Sequence, residues 1–151
     1  KSTGVTIMMM DAEMDHGDIL STKEIILSEK ETSLSLSNKI SVVGSKLLID
    51  TLADFIDGKV TPVKQNHEIA TYIKMIKKED GYFDIDSPLS PEVLDRMIRA
   101  YYPWPGVWTK WNGKIVKFFP EGKIQMEGKK ILDYKDFING YPNFASLFPN
   151  N

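Results

Sequence analysis

The chain has 151 residues, 42% hydrophobic and 26% charged, enough in principle for one buried core. Nineteen basic against twenty-one acidic side chains leave a formal net charge of −2, which excludes a global cationic field that gathers nucleic acid without help from shape. The absence of cysteine excludes disulfides and thiolate metal sites, and the two histidines, His16 and His67, are too far apart in sequence to form a helical ligand pair.

The chain opens on a continuous apolar and β-branched run at 5–10, the pattern of a strand covered on both faces in a sheet flanked by helices. Because this run starts almost at Lys1, with no initiator Met, its neighbouring strands are expected upstream, and the chain reads as the back half of a larger protein. A loop follows with Asp11, Glu13, Asp15, Asp18 and Gly17, and residues 18–27 return as a second strand. Gly17 would let backbone come close to a ligand. Four clustered acids suggest a divalent cation, but a calcium loop needs a longer spacing and a distal bidentate glutamate, so no metal is expected. Acids in such loops commonly satisfy turn amides. A single carboxylate at the carboxyl end of a strand in an open α/β sheet is nevertheless where ligands bind.

Thr32 or Ser33 can then cap a long helix whose apolar residues Leu36, Ile40, Val43, Leu47, Leu52 and Phe55 recur every three to five positions. Gly58 closes it at C′. Residues 60–65 are strand-like, with Pro62 marking an edge or surface crossing. The polar stretch 67–87, with a turn at Asp80-Gly81, is expected to be a linker wrapping the first unit. A second helix has clear punctuation: Ser90 as N-cap, Pro91 at the first helical position, Glu92 and Asp95 near the positive end, Leu94, Ile98 and Tyr101 on one face, and a stop at Pro103 and Pro105.

Beyond Trp104 the chain becomes aromatic, β-branched and lysine-rich. Residues 107–111 and 115–119 flank Asn112-Gly113, the strongest two-residue hairpin signal, and 123–127 can add a third strand. Asp133 is placed to cap a short helix through Ile138, ended by Asn139-Gly140. From Trp108 to Lys135 seven lysines face three acids, so an anionic partner would be met there first. No apolar stretch is long enough for a membrane span and no signal peptide is visible; a cytoplasmic location is the expectation. The predicted boundaries are 1–66 for a catalytic part, 67–89 for the linker, and 90–151 for helix, hinge and hairpin tail.

TGVTIMMMDAEMDHGDIL at 3–20 resembles the TGVTIM-x-MDxGLDTGDxL segment of methionyl-tRNA formyltransferases. ATYIKMIKKEDGYFD at 70–84 is similar to the family's ATY-x₃-I-x-KEDG linker, IRAYYPWPGVWT at 98–109 to its IRAFNPWPGAWT, and QMEGKKILDYKDFINGY at 125–141 to its closing Q-x-EGKKPMSxxDFLNG. Ordered matches along nearly the whole chain are far more specific than a lone motif. The fold implied is α/β: the C-terminal part of a Rossmann-like formyltransferase domain, then a linker helix and a short β-rich tail, abbreviated relative to the family's β-barrel. The activity implied is transfer of a formyl group from 10-formyltetrahydrofolate, a co-substrate, to the amino group of methionine on initiator tRNA. In such enzymes an Asn and a His from an N-x-H loop act with the Asp of the LDTG loop, here MDHG, and that acid is Asp15.

The Asn and His lie upstream of Thr3 in the family, so the isolated chain is expected to be inactive. By the same resemblance, Met10, Asp11, Ala12, Glu13, Met14 and Gly17 line the pteridine pocket. Glu13 stands where the family usually has Gly, and His16 where it has Thr; the first is expected to crowd or recharge the pocket, the second to perturb Asp15. Candidate tRNA contacts are Lys78, which matches a linker lysine, and Lys114, Lys117, Lys129 and Lys130, whereas Trp104 reads as a packed hinge. A sugar-nucleotide N-formyltransferase is the closest rival, and a non-catalytic assembly module the rival from another class. Exposed strand edges at 5–10 also predict a homo-oligomer in which strands pair between copies.

Overall fold

β1 (Ser2–Met8) and β2 (Ile19–Ile26) pair antiparallel, from Ser2 opposite Ile26 to Ile7 opposite Ser21, with a register shift between Ile7 and Met8. The structure is a computed structural model that describes residues 1–144. Those residues divide into two units, one made of 1–31 and 35–74, the other of 32–34 and 75 onward.

In the first unit Thr3, Val5 and Ile7 are half-buried while Ser2, Gly4 and Thr6 are exposed, so β1 has the two-residue period of a strand covered on one face. Cover for the second face is not found among the described residues, where β1 pairs with β2 alone and Met9 and Met10 lie beyond the strand. A short unbroken apolar run does not distinguish the two cases. α1 (Ser33–Ile56) supplies the cover. A Cβ on Gly44 would stand 3.3 Å from a methyl of Val5, and the hydroxyls of Ser21 and buried Thr51 lie 2.6 Å apart.

The inward face of α1 runs through Leu36, Ile40, Val43, Gly44, Leu47 and Thr51. Leu52 and Phe55, expected on that face, are exposed with Val42, Ile49 and Ile56. Because this helix is apolar nearly all round, its periodicity does not single out one face. Its first turn is anchored by Glu31, whose carboxylate accepts from Lys39, Ser35 and the amide and hydroxyl of Ser28. These partners, Lys39 first, hold Glu31 down at about 2. Gly58 has φ +70°, the left-handed position that ends the helix.

The second unit centres on α2 (Pro91–Tyr101), the antiparallel sheet β3 (Val107–Trp111), β4 (Lys114–Phe119), β5 (Lys123–Met126) and β6 (Leu132–Asp133), and α3 (Tyr134–Gly140). Ser90 accepts from the Val93 amide at 3.4 Å, as its N-cap reading requires. Asn112 and Gly113 both have positive φ, 47° and 74°, the demand of a two-residue hairpin turn. The core joins Phe83, Leu94, Ile98, Val107, Val116, Phe118, Ile124, Met126, Phe137 and Phe144.

Part of the stretch expected to wrap the first unit belongs to this core. Phe83 is 5% exposed, its amide donates to the Trp108 carbonyl, its own carbonyl accepts from buried Thr109, and Gly81 approaches Gly106 too closely for any Cβ. Polar neighbours at 77–80 masked the single buried aromatic. At Asp133 the residue is the N-cap of α3 as expected, yet its carboxylate does not cap; it pairs with Lys123, directly opposite on β5, at 2.8 Å.

Candidate active site

The loop between β1 and β2 is closed by the Met9 amide, which donates to the Asp18 carbonyl at 2.9 Å. Gly17 is buried where this closure is tightest. A Cβ there would sit 1.9 Å from the Met9 carbonyl oxygen, so only glycine fits. Asp11 begins an Asx turn, its Oδ1 accepting from the Glu13 amide at 2.9 Å. Its other oxygen lies 2.6 Å from His16 Nδ1, and the His16 ring stacks on His67 with centroids 3.8 Å apart and planes 10° from parallel.

Electrostatics follow from that contact. The Asp11 hydrogen bond raises the His16 imidazole above its ordinary value, aided by the charges of Asp11, Glu13 and Asp18. Reciprocally, the His16 bond and then the Glu13 amide hold the Asp11 carboxyl below its usual range.

Asp15 sits at the turn of the loop in the left-handed region, φ 55°, and is exposed. Its carboxylate makes no hydrogen bond or ion pair with the described residues, so it is free to meet a ligand atom. Met10 and Met14 of the same loop are 90% exposed, two apolar thioethers in water on a segment that also presents an unpaired carboxylate. Ala12 and Glu13 are exposed as well. Among the described residues no group of three His, Asp or Glu converges in a way that could hold a metal ion.

The loop has a support that sequence reasoning missed. Residues 60–65 return antiparallel to β2, with Val63 and Ile19 exchanging backbone bonds of 2.8 and 2.9 Å. Gln65 then reaches the loop with Nε2, donating to the carbonyls of Gly17 at 2.7 Å and Asp15 at 3.0 Å. Nothing local marks Gln65, because the contact spans about fifty positions.

The candidate lysines all lie in the second unit and are exposed. Register places Lys117 between Trp108 and Gln125 on one face of the sheet; Trp108 packs on Tyr82 at 4.9 Å and donates Nε1 to the Lys78 carbonyl at 3.2 Å. Gln125 in turn donates to the Lys129 carbonyl. Lys129 and Lys130 flank a shallow hollow of about 240 Å³ floored by Met126, Leu132, Phe137 and Tyr141. Lys114 stands apart at the hairpin tip, opposite Trp111 and hence on the other face.

Residues 1–52 match the family described as formyl transferase, and residues 75–120 match formyl transferase, C-terminal domain. The chain belongs to the formyl transferase family. A methionyl-tRNA formyltransferase of Koribacter versatilis is 35% identical over 175 residues, covering 95% of this chain and 55% of that protein. Among solved structures, a 4-N formyltransferase from Francisella tularensis is 27% identical with a TM-score of 0.65, covering 77% of this chain and 49% of the other. HypX from Aquifex aeolicus in complex with tetrahydrofolic acid has the same TM-score at 16% identity, over 93% of this chain and 30% of that one, and establishes likeness of fold. This formyl transferase chain spans about half the length of the curated relatives it matches. Its mixed α/β fold, a partial formyltransferase domain followed by a β-rich unit, is the one the sequence implied.

Proposed function

We propose that the chain provides the Asp15 loop and the β-rich second unit of an enzyme that formylates methionine on initiator tRNA, with 10-formyltetrahydrofolate as co-substrate. The observation that carries this reading is an unpaired Asp15 carboxylate, exposed on the loop that also carries Met10 and Met14, in a chain 35% identical to a methionyl-tRNA formyltransferase. In the reaction the methionyl nitrogen forms a bond to the formyl carbon, the bond from that carbon to the folate N10 breaks, and one proton passes from the amine to N10. Asp15 suits that proton relay because its carboxylate is open to reactants. The trio's Asn and His, which the family places before the segment matched by Thr3, would stabilise the tetrahedral oxyanion. Met10 and Met14 offer apolar surface for the pteridine, with Asp11, Ala12, Glu13 and Gly17 supplying loop backbone around it.

Lys78, Lys117 and Lys129, linked through Trp108 and Gln125, and Lys130 next to Lys129 offer phosphate contacts for the tRNA, and Lys114 offers one from the opposite face. No helix among the described residues is long and apolar enough to cross a membrane; a cytoplasmic location suits a partner in translation initiation. The edge of β1 that is unpaired among the described residues suits pairing between copies in a homo-oligomer. One specific finding favours a second reading, in which the formyl group goes to an amine other than the methionyl one, as in the rival sugar-nucleotide N-formyltransferase: the likeness to a 4-N formyltransferase.

Acceptor choice separates the two. With labelled 10-formyltetrahydrofolate and the natural full-length polypeptide, label is expected in methionyl-initiator tRNA and not in an amino-deoxysugar nucleotide. Label in the sugar alone would replace the first reading by the second.

A further inference from the structure

We propose that Gln65 is the positioning residue of the Asp15 loop. One carboxamide spends both of its donors on two loop carbonyls, those of Asp15 and Gly17, at 3.0 and 2.7 Å. These bracket the residue that follows Asp15 and so restrain the turn from both sides. The restraint is needed because Asp15 is held at φ 55°, a left-handed conformation that Asp visits more readily than most side chains but that is held fixed here only by its neighbours. Gln65 is itself fixed. It is half-buried, its Nε2 also lies 3.9 Å from Met8 Sδ, and two residues earlier Val63 is bonded to Ile19 on β2. Two residues later His67 stacks on His16. Residues 63–67 therefore touch both ends of the loop and its centre, and Gln65 is the member aimed at the backbone that carries the carboxylate.

The chemistry demands an amide of this length. A glutamate would turn a carboxylate oxygen toward two carbonyl oxygens, a methionine would offer the shape without donors, and an asparagine would hold the donors one methylene short. All three substitutions are expected to release the turn.

The catalytic part of the inference rests on the reading of Asp15 as the reacting carboxylate; the structural part does not. In the 151-residue chain, Gln65→Met and Gln65→Glu are expected to move the Asp15, His16 and Gly17 amide resonances while leaving those of β3 to β5 in place. Unchanged loop resonances would overturn the clamp whatever the enzyme does. If Gln65→Met fails to fold, Gln65→Asn gives the same reading. In the natural full-length polypeptide, the variants are expected to lower kcat about 10- to 100-fold with the KM for methionyl-tRNA within twofold, the loss a small misplacement of a catalytic group brings. Asp15→Asn is measured beside them. A dead Asp15→Asn with Gln65→Met at the parent kcat overturns Gln65 alone; Asp15→Asn at the parent rate overturns the reading of the site.

Discussion

Gly17 has the least freedom of any residue in the loop. With the Met9 carbonyl 1.9 Å from where its Cβ would be, Gly17→Ala must part the ends of the hairpin, and a loss of about 1–3 kcal/mol is expected by urea denaturation. The sequence pointed to this glycine for its use to a ligand, but its constraint is the chain's own backbone. His16 offers a pH test. Its value is raised, so the contribution of the Asp11 pair is full below 6.5 and fades as pH climbs through the raised value; Asp11 is lowered, so its share is full above 3.8 and fades as pH falls through the depressed one. Between those limits the pair is complete. Nuclear magnetic resonance titration is expected to place His16 above 6.5, and Asp11→Asn to bring it back down. Asp15 was legible because a motif carries it, whereas Gln65 was not, because a bond across about fifty residues leaves no local trace.

At the level of elements, the punctuated ones were the readable ones. Ser90-Pro91 and Asn112-Gly113 each require a particular backbone, so α2 and the β3–β4 hairpin stand where the residues placed them. Asn112→Val, which puts a β-branched residue at φ 47°, is expected to lower the stability of the second unit by about 1–2 kcal/mol in thermal melts. Leu94→Ala, at a site with no exposure, is expected to cost about 2–5 kcal/mol in the same experiment. α1 was legible as a helix but not in its facing. Leu52 and Phe55 obey the spacing of a core stripe as well as Leu47 and Thr51 do, and only the location of β1 decides between them.

For the molecule as a whole, the two units differ in how much they bury. The second gathers ten buried hydrophobic residues, while in the first Ile25 alone falls in that class among the described residues. Hydrogen exchange is therefore expected to be slower in β3, β4 and α2 than in α1, whose Val42, Ile49 and Ile56 are mostly exposed. The division was only partly visible in the sequence, since Phe83 lies within a polar stretch and gives no periodic signal. On the proposed reading, function at this scale turns on one group in the thinner unit, Asp15. Its most direct test is single-turnover formyl transfer from 10-formyltetrahydrofolate to methionyl-initiator tRNA by the natural full-length polypeptide, parent against Asp15→Asn, both saturated with co-substrate. A fall of about 100-fold or more is the predicted result, the scale of a lost general acid–base group; transfer at the parent rate would contradict the account.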